Sequence, residues 1–294
     1  MDFGLWTLDS TLLPMNGRSV LKKIPLRATL FPGLAPKLHI LIFALFLIQF
    51  ALVWLNLWTQ FPRFGNARWP MGILLALAAA TTLTSLSREL PPQNVMLASL
   101  IIVFIAGMVH TFGAVTAIPF GPRVYLPALG QNLFEPLPWA IPIIWLVAIL
   151  CARGVGRLIL RPWRKTRSYG FWLMGITAGL VVFFDFGLEP FATRVKRFWF
   201  WNPTHAGLYW YGTPWINFLG WACTALLILA FATPSLINKK PVKQPPAYHP
   251  LILWLLLNAL LGTGAITHHL WAAAALILAH CATAAIFAFR GGTW

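Results

Sequence analysis

The sequence predicts an all-α fold: a polytopic membrane bundle of about eight transmembrane helices, within a range of seven to nine. Three observations carry this reading. Of the 294 residues, 59% are hydrophobic and 10% charged, with a mean hydropathy of +0.74; a soluble domain carries about 25% charged residues. Apolar runs recur at about 38–58, 70–87, 94–117, 138–152, 170–186, 214–233, 249–267 and 269–289, most of them near the ~20 residues that a spanning helix needs. The Lys and Arg residues gather between those runs, as they do in chains oriented by charge in a membrane.

In chain order, residues 1–37 hold five Lys/Arg and the prolines 14, 25, 32 and 36, and lack a compact apolar core before a small-residue cleavage site. They read as a cytoplasmic, partly interfacial leader and not as a cleaved signal; the first span then serves as its own insertion signal. Residues 38–294 read as one integral membrane domain. The run at 138–152 is short and contains Pro142, and the last two runs meet at a tight turn at His268 and His269, which is why the helix count is a range. With eight spans and both termini cytoplasmic, sixteen Lys/Arg fall on the inner side and six on the outer side, the bias expected of a multi-pass cell-membrane protein. A bacterial or archaeal inner membrane is the expected location. This topology puts the 118–137 and 187–213 loops on one, outer, side, where they can meet.

Composition excludes several function classes. The net charge of +16 resides in inter-span loops, so a nucleic-acid partner is not expected. Cys151, Cys223 and Cys281 lie in or beside apolar runs without a CxxC pair, which argues against a disulfide framework or a zinc site. All eight lysines lie outside the spans or at their edges, so no buried Schiff-base lysine is available. The chain has neither a P-loop nor a GxGxxG fingerprint, and it has one acidic pair where a magnesium-pyrophosphate site needs two clusters.

The chain is organised around residues 185–221, DFGLEPFATRVKRFWFWNPTHAGLYWYGTPWINFLGW. This stretch holds Asp185 and Glu189, two of the six acidic residues, and five of the sixteen tryptophans. A charge at membrane depth costs about 2.5–3.5 kcal/mol on insertion scales, so an intramembrane carboxylate marks function by default. Four residues apart, Asp185 and Glu189 share a helix face if the helix runs one further turn. Pro190 is expected to break the helix at Glu189. Two carboxyl groups in an apolar site tend to hold a proton between them, and a retained proton makes a general acid. The alternative is that either acid pairs with Arg194 or Lys196, or caps a helix. Glu135 is a further candidate, either paired with Arg123 or joined to the site. Glu89, beside Arg88, reads as solvated. His110, at the outer end of the third span, reads as a polar partner of the site. HxxxH and HxxHH spacings are absent, so a metal is not expected. The Pro-, Gly- and Trp-rich loops at 118–137 and 187–213 exceed what an interfacial aromatic belt requires; irregular backbone at membrane depth must be buried in protein or line a cavity, so they are expected to re-enter or cap a pocket.

These motifs resemble a known family. HTFGAVTAIPFGPRVYLPALG followed by PLPWAIPIIW is similar to the PFG-x-Y-x-Y block of the CruF-like carotenoid biosynthesis proteins. DFGLEP and LYWYGTPWINFLGW resemble that family's D-x-x-x-D-P and G-x-Y-Y-G-x-P-x-x-N-F-x-G-W blocks. The resemblance covers roughly 105–221. Glu189 stands where the pattern has its second aspartate, His110 lies near an acidic position, and Tyr125 is the one tyrosine retained in the first block. The resemblance implies a hydratase that adds water to the terminal double bond of an acyclic carotenoid end group, as in bisanhydrobacterioruberin or γ-carotene, to give a tertiary alcohol.

Such a reaction needs a proton donor, a stabilised tertiary carbocation and a water, and no cofactor. Asp185 and Glu189 are assigned as acid and water-orienting base, in either order. Trp199, Trp201, Tyr209, Tyr211, Trp215 and Trp221 are candidates to hold the cation, a contact that reaches about 2 kcal/mol when desolvated. Asn217 is a candidate to orient the water, and Tyr125 to bind substrate. The expected partners are a polyene substrate, membrane lipid and other carotenoid-pathway enzymes. A carotenoid isomerase or cyclase using the same acid is the nearest alternative, and a membrane transporter or lipid-binding scaffold the next; the internal pseudo-repeat expected of a transporter is not evident.

Overall fold

The computed structural model describes residues 34–61, 69–202, 207–237 and 245–294. Most of the 1–37 leader therefore lies outside the described residues, as does His205. Eight helices long and apolar enough to cross a membrane are present among the described residues, and the chain is a multi-pass membrane protein. They are α1 (Leu34–Thr59), α2 (Trp69–Leu86), α3 (Pro92–Thr116), α4 (Ala140–Ile159), α5 (Tyr169–Pro190), α6 (Trp215–Ala232), α7 (His249–Thr267) and α8 (Trp271–Gly292). The turn expected at the last junction is formed by His268 and His269, with His269 at φ +58°.

α4 is the central helix, packed against α2, α3, α5, α7 and α8. Its Trp145, Ile149, Cys151, Ala152 and Val155 are wholly buried. The peripheral helices show two faces instead. On α3, the inward stripe is Ala98, Ile102, Ala106, Gly107, His110 and Gly113, whereas Met96, Leu100, Phe104, Met108 and Phe112 are exposed. Small residues inside and large apolar residues outside are what close helix packing within lipid requires.

α4 runs seven residues beyond the expected end at 152. The extension carries Arg153 and Arg157, which read as loop charges in the sequence. Arg153 is buried and donates to the Leu236 carbonyl at 3.1 Å, and Arg157 pairs with Glu89 at 2.8 Å. Glu89 is therefore an ion-pair partner and not a free solvated acid. The helix continues because each guanidinium finds an acceptor at the bundle end.

α5 also departs from expectation. It passes through Pro190 and continues as a π-helical segment over Phe191–Val195. Proline cannot donate to the carbonyl four residues earlier, here that of Phe186. That carbonyl accepts the Trp210 indole N–H at 2.9 Å instead. The relaxed turn that follows the proline lets the helix carry on without closing the missing bond.

The 118–137 and 187–213 loops meet, as the topology anticipated, and they do so as short strands. β1 (Arg123–Tyr125) and β4 (Trp199–Trp201) pair antiparallel, with Arg123 opposite Trp201, Val124 opposite Phe200 and Tyr125 opposite Trp199. Successive strand residues face opposite ways, and the burial follows: Trp199, Trp201 and Arg123 point inward while Val124 and Phe200 are exposed. β2 (Asn132–Phe134) with β3 (Leu137–Pro138), and β5 (Tyr209–Trp210) with β6 (Thr213–Pro214), form two further ribbons at the same end. Phe120 locks the first loop to the bundle. It is fully buried between α3 and α6, where a Cβ on Gly113 would lie 2.9 Å from its ring and one on Gly220 2.7 Å. Glycine at both positions is what admits the ring.

Candidate active site

Asp185 and Glu189 lie on one face of α5 and are completely buried. The helix delivers them together because Pro190 does not end it. Asn217, in the first turn of α6, bridges them: its Nδ2 donates to Asp185 Oδ2 at 2.7 Å and to Glu189 Oε1 at 3.2 Å. An amide nitrogen has two hydrogens, one for each acid.

The second oxygen of Glu189 is held by three donors. Trp199 Nε1 lies at 3.0 Å, Trp201 Nε1 at 2.9 Å and Thr213 Oγ1 at 3.1 Å. The strand period explains the first two, since Trp199 and Trp201 share a face of β4, and β6 supplies the third. The environment of Asp185 is different. Asn217 is its hydrogen-bond partner through Oδ2, while Oδ1 is buried without a partner, as are Asn217 Oδ1 and Trp221 Nε1.

Arg123 comes from β1 into the same interior and is buried. Its guanidinium lies 4.7 Å from the centroid of Phe120, 5.1 Å from Tyr125, 5.4 Å from Trp201 and 6.0 Å from Trp199. It stands over the two indoles that donate to Glu189, and no ion pair within 4 Å forms with either carboxylate. It contacts His110 instead, Nη2 to Nδ1 at 2.5 Å. His110 also receives Trp145 Nε1 on its Nε2 at 2.6 Å and has the Tyr125 hydroxyl 2.9 Å from Nδ1. Trp and Arg can only donate, and a neutral imidazole has one nitrogen free to accept, so His110 accepts from one of them while its other nitrogen carries the ring proton; an imidazolium could accept from neither. Burial pushes the Tyr125 phenol up to about 12, so at neutral pH it is a hydroxyl able to give or take a hydrogen bond. Trp221 stacks on Trp145 with centroids 4.2 Å apart.

The structure thus brings Asp185, Glu189, Asn217, Trp199, Trp201, Tyr125, His110 and Trp221 into one buried nest. Glu135 is not part of the carboxylate pair. Its Oε1 accepts from Asn132 at 2.8 Å, and it shares with Arg123 and Tyr125 the lining of a loop-end cleft. The alternative pairing of the carboxylates with Arg194 is not formed either; Arg194 donates to the Tyr211 carbonyl from Nε and Nη2 at 3.2 and 3.1 Å. Tyr209, Tyr211 and Trp215 lie away from the nest. Trp215 packs with Phe218 around Phe186, Tyr211 turns the chain at φ +52°, and Tyr209 and Trp215 are exposed.

Sequence reasoning missed Thr213, Trp145 and Phe120, and gave Arg123 a different partner. Thr213 sits in the TPWIN run beside Asn217, which was a usable signal. Trp145 gave none, since a tryptophan inside an apolar run reads as core.

Two clefts border the same loops. One has apolar side chains and none of the nest residues in its lining, which includes Phe184, Leu188 and Phe191 with Leu257, Leu260 and Leu261 of α7. The other opens at the loop end and is floored by Arg123 and Tyr125.

A model of a family described as carotenoid biosynthesis protein matches residues 69–287, which include both loops and the whole nest. Searches of curated proteins and of solved structures gave no match.

Proposed function

Since the chain belongs to the carotenoid biosynthesis protein family, we propose that it is a cofactor-independent hydratase acting on the terminal double bond of an acyclic carotenoid. The observation that carries this reading is the buried Asp185–Asn217–Glu189 bridge with its unequal hydrogen bonding. Donors favour the charged form of a carboxyl group, and Glu189 has four donor contacts against one for Asp185. Asp185 is then the acid and Glu189 the anion.

Asp185 transfers its proton to the CH carbon of the terminal double bond, and the positive charge forms on the fully substituted carbon of that bond. Water adds there and loses a proton, which restores the acid. Glu189 is the counterion of the cationic stage and the acceptor that orients the water. It takes over much of the role expected of the ring faces, because the faces of Trp199 and Trp201 are turned to Arg123. The polyene suits the apolar cleft beside α5, and water suits the cleft at Arg123 and Tyr125. In this reading both termini are cytoplasmic, residues 38–294 act as one domain, and the nest lies toward the outer face of a cell membrane.

The test is product analysis. Membranes containing the chain are incubated with an acyclic carotenoid in oxygen-18 water. A pigment heavier by one water, with the label in its hydroxyl group, is expected. An isomer of unchanged mass would favour the second reading, an isomerase or cyclase that uses the same acid and excludes water.

A further inference from the structure

The geometry points to Arg123 as a positioning residue: the counterion that holds the Asp185–Glu189 pair at a single proton, carried by Asp185. This deepens the reading above, since that proton is the one the acid step spends.

The argument is one of charge balance. A buried charge without compensation costs several kcal/mol. The interior nest holds two carboxyl groups and one guanidinium, all buried. A doubly protonated His110 would set a donor against a donor-only neighbour at each ring nitrogen, so the ring adds no positive charge. The Tyr125 phenol is also neutral, pushed up to about 12 by burial. The cation beside the pair is Arg123, whose guanidinium lies over the rings of Trp199 and Trp201, the two indoles that donate to Glu189. One fixed cation balances one anion, so one carboxyl keeps a proton. The hydrogen-bond count selects which: Glu189 is surrounded by donors, while Asp185 Oδ1 has none.

The placement of Arg123 suits this task. Pulled into a direct ion pair, the guanidinium would cover the carboxylates. It is held off them by His110 on one side and by the rings of Phe120, Tyr125, Trp199 and Trp201 on the others. Trp199 and Trp201 serve both ends of the relationship, with their faces toward Arg123 and their N–H groups on Glu189. The charge therefore acts through space and leaves the acid uncovered.

Infrared spectroscopy of the purified full-length chain, in light and heavy water at neutral pH, counts protonated carboxyl groups without reference to turnover. The wild type is expected to show one deuterium-sensitive carboxylic acid band, which Asp185→Asn removes. Glu189→Gln should also remove it, although Asp185 is untouched, because Arg123 then draws the charge onto Asp185. Arg123→Met should yield two bands, the second lost on adding Glu189→Gln, while Arg123→Lys should keep one. If Arg123→Met does not accumulate, the Glu189→Gln result decides by itself. Two bands or none in the wild type, a band that survives Glu189→Gln, or an unchanged single band in Arg123→Met would overturn the proposal. The count stands or falls independently of whether the product is a hydrate.

Discussion

Trp210 donates its indole N–H to the Phe186 carbonyl at 2.9 Å, the carbonyl that Pro190, four residues on, cannot serve. A ribbon on one side of the 185–221 stretch thereby repairs the helix on the other, and Glu189 stays on the same face as Asp185. Trp210→Phe should cost about 1–3 kcal/mol, the penalty for a buried carbonyl left unsatisfied. In a Pro190→Ala background, where residue 190 regains its own donor, the same change should cost less than about 1 kcal/mol. Thermal unfolding of the four variants in detergent checks this, and additive costs would contradict it.

Asn217 is the one donor shared by the two acids. Asn217→Leu, close in volume, should abolish product at near-normal protein levels, with a loss of about 100-fold or more for a buried polar network broken at its centre. Asn217→Gln should recover little, because the bridge depends on side-chain length. Product yield per unit of membrane protein is the readout.

Phe120 fits only because residues 113 and 220 are glycine. Gly220→Ala should destabilise by about 1–3 kcal/mol through overpacking. Phe120→Leu should relieve part of that cost while loosening the contact of the ring with His110, which has a centroid distance of 4.4 Å. The melting temperatures of the two single variants and the double variant test the coupling.

Glu135 binds Asn132 and stands apart from the carboxylate pair. Glu135→Gln should therefore leave product yield within about twofold of wild type, the behaviour of a substitution away from the reacting groups. A loss on the scale of Asp185→Asn would bring the Glu135 carboxylate itself into the chemistry.

Much of this arrangement was readable in the chain. Apolar run length and charge bias yield the eight spans, and the i, i+4 spacing of Asp185 and Glu189 yields their common face. What was not readable is non-local. Pro190 is a helix breaker by local rules, and its rescuer lies twenty residues away in a different ribbon. Arg153 and Arg157 look like loop charges until their acceptors, Leu236 and Glu89, are in place. Arg123 sits twelve residues from Glu135 in sequence, which suggested that pair, yet the strand register with Trp201 turns it inward. Tyr209, Tyr211 and Trp215 share the aromatic character of Trp199 and Trp201, and only the strand ends decide which of them face the acids.

The most direct measurement compares wild type, Asp185→Asn and Glu189→Gln in a bacterium that makes lycopene, with pigments identified by mass and protein levels matched by immunoblot. The account predicts a pigment heavier by one water from the wild type, and none from either variant at equal membrane abundance. Full yield of that pigment from both variants would contradict it.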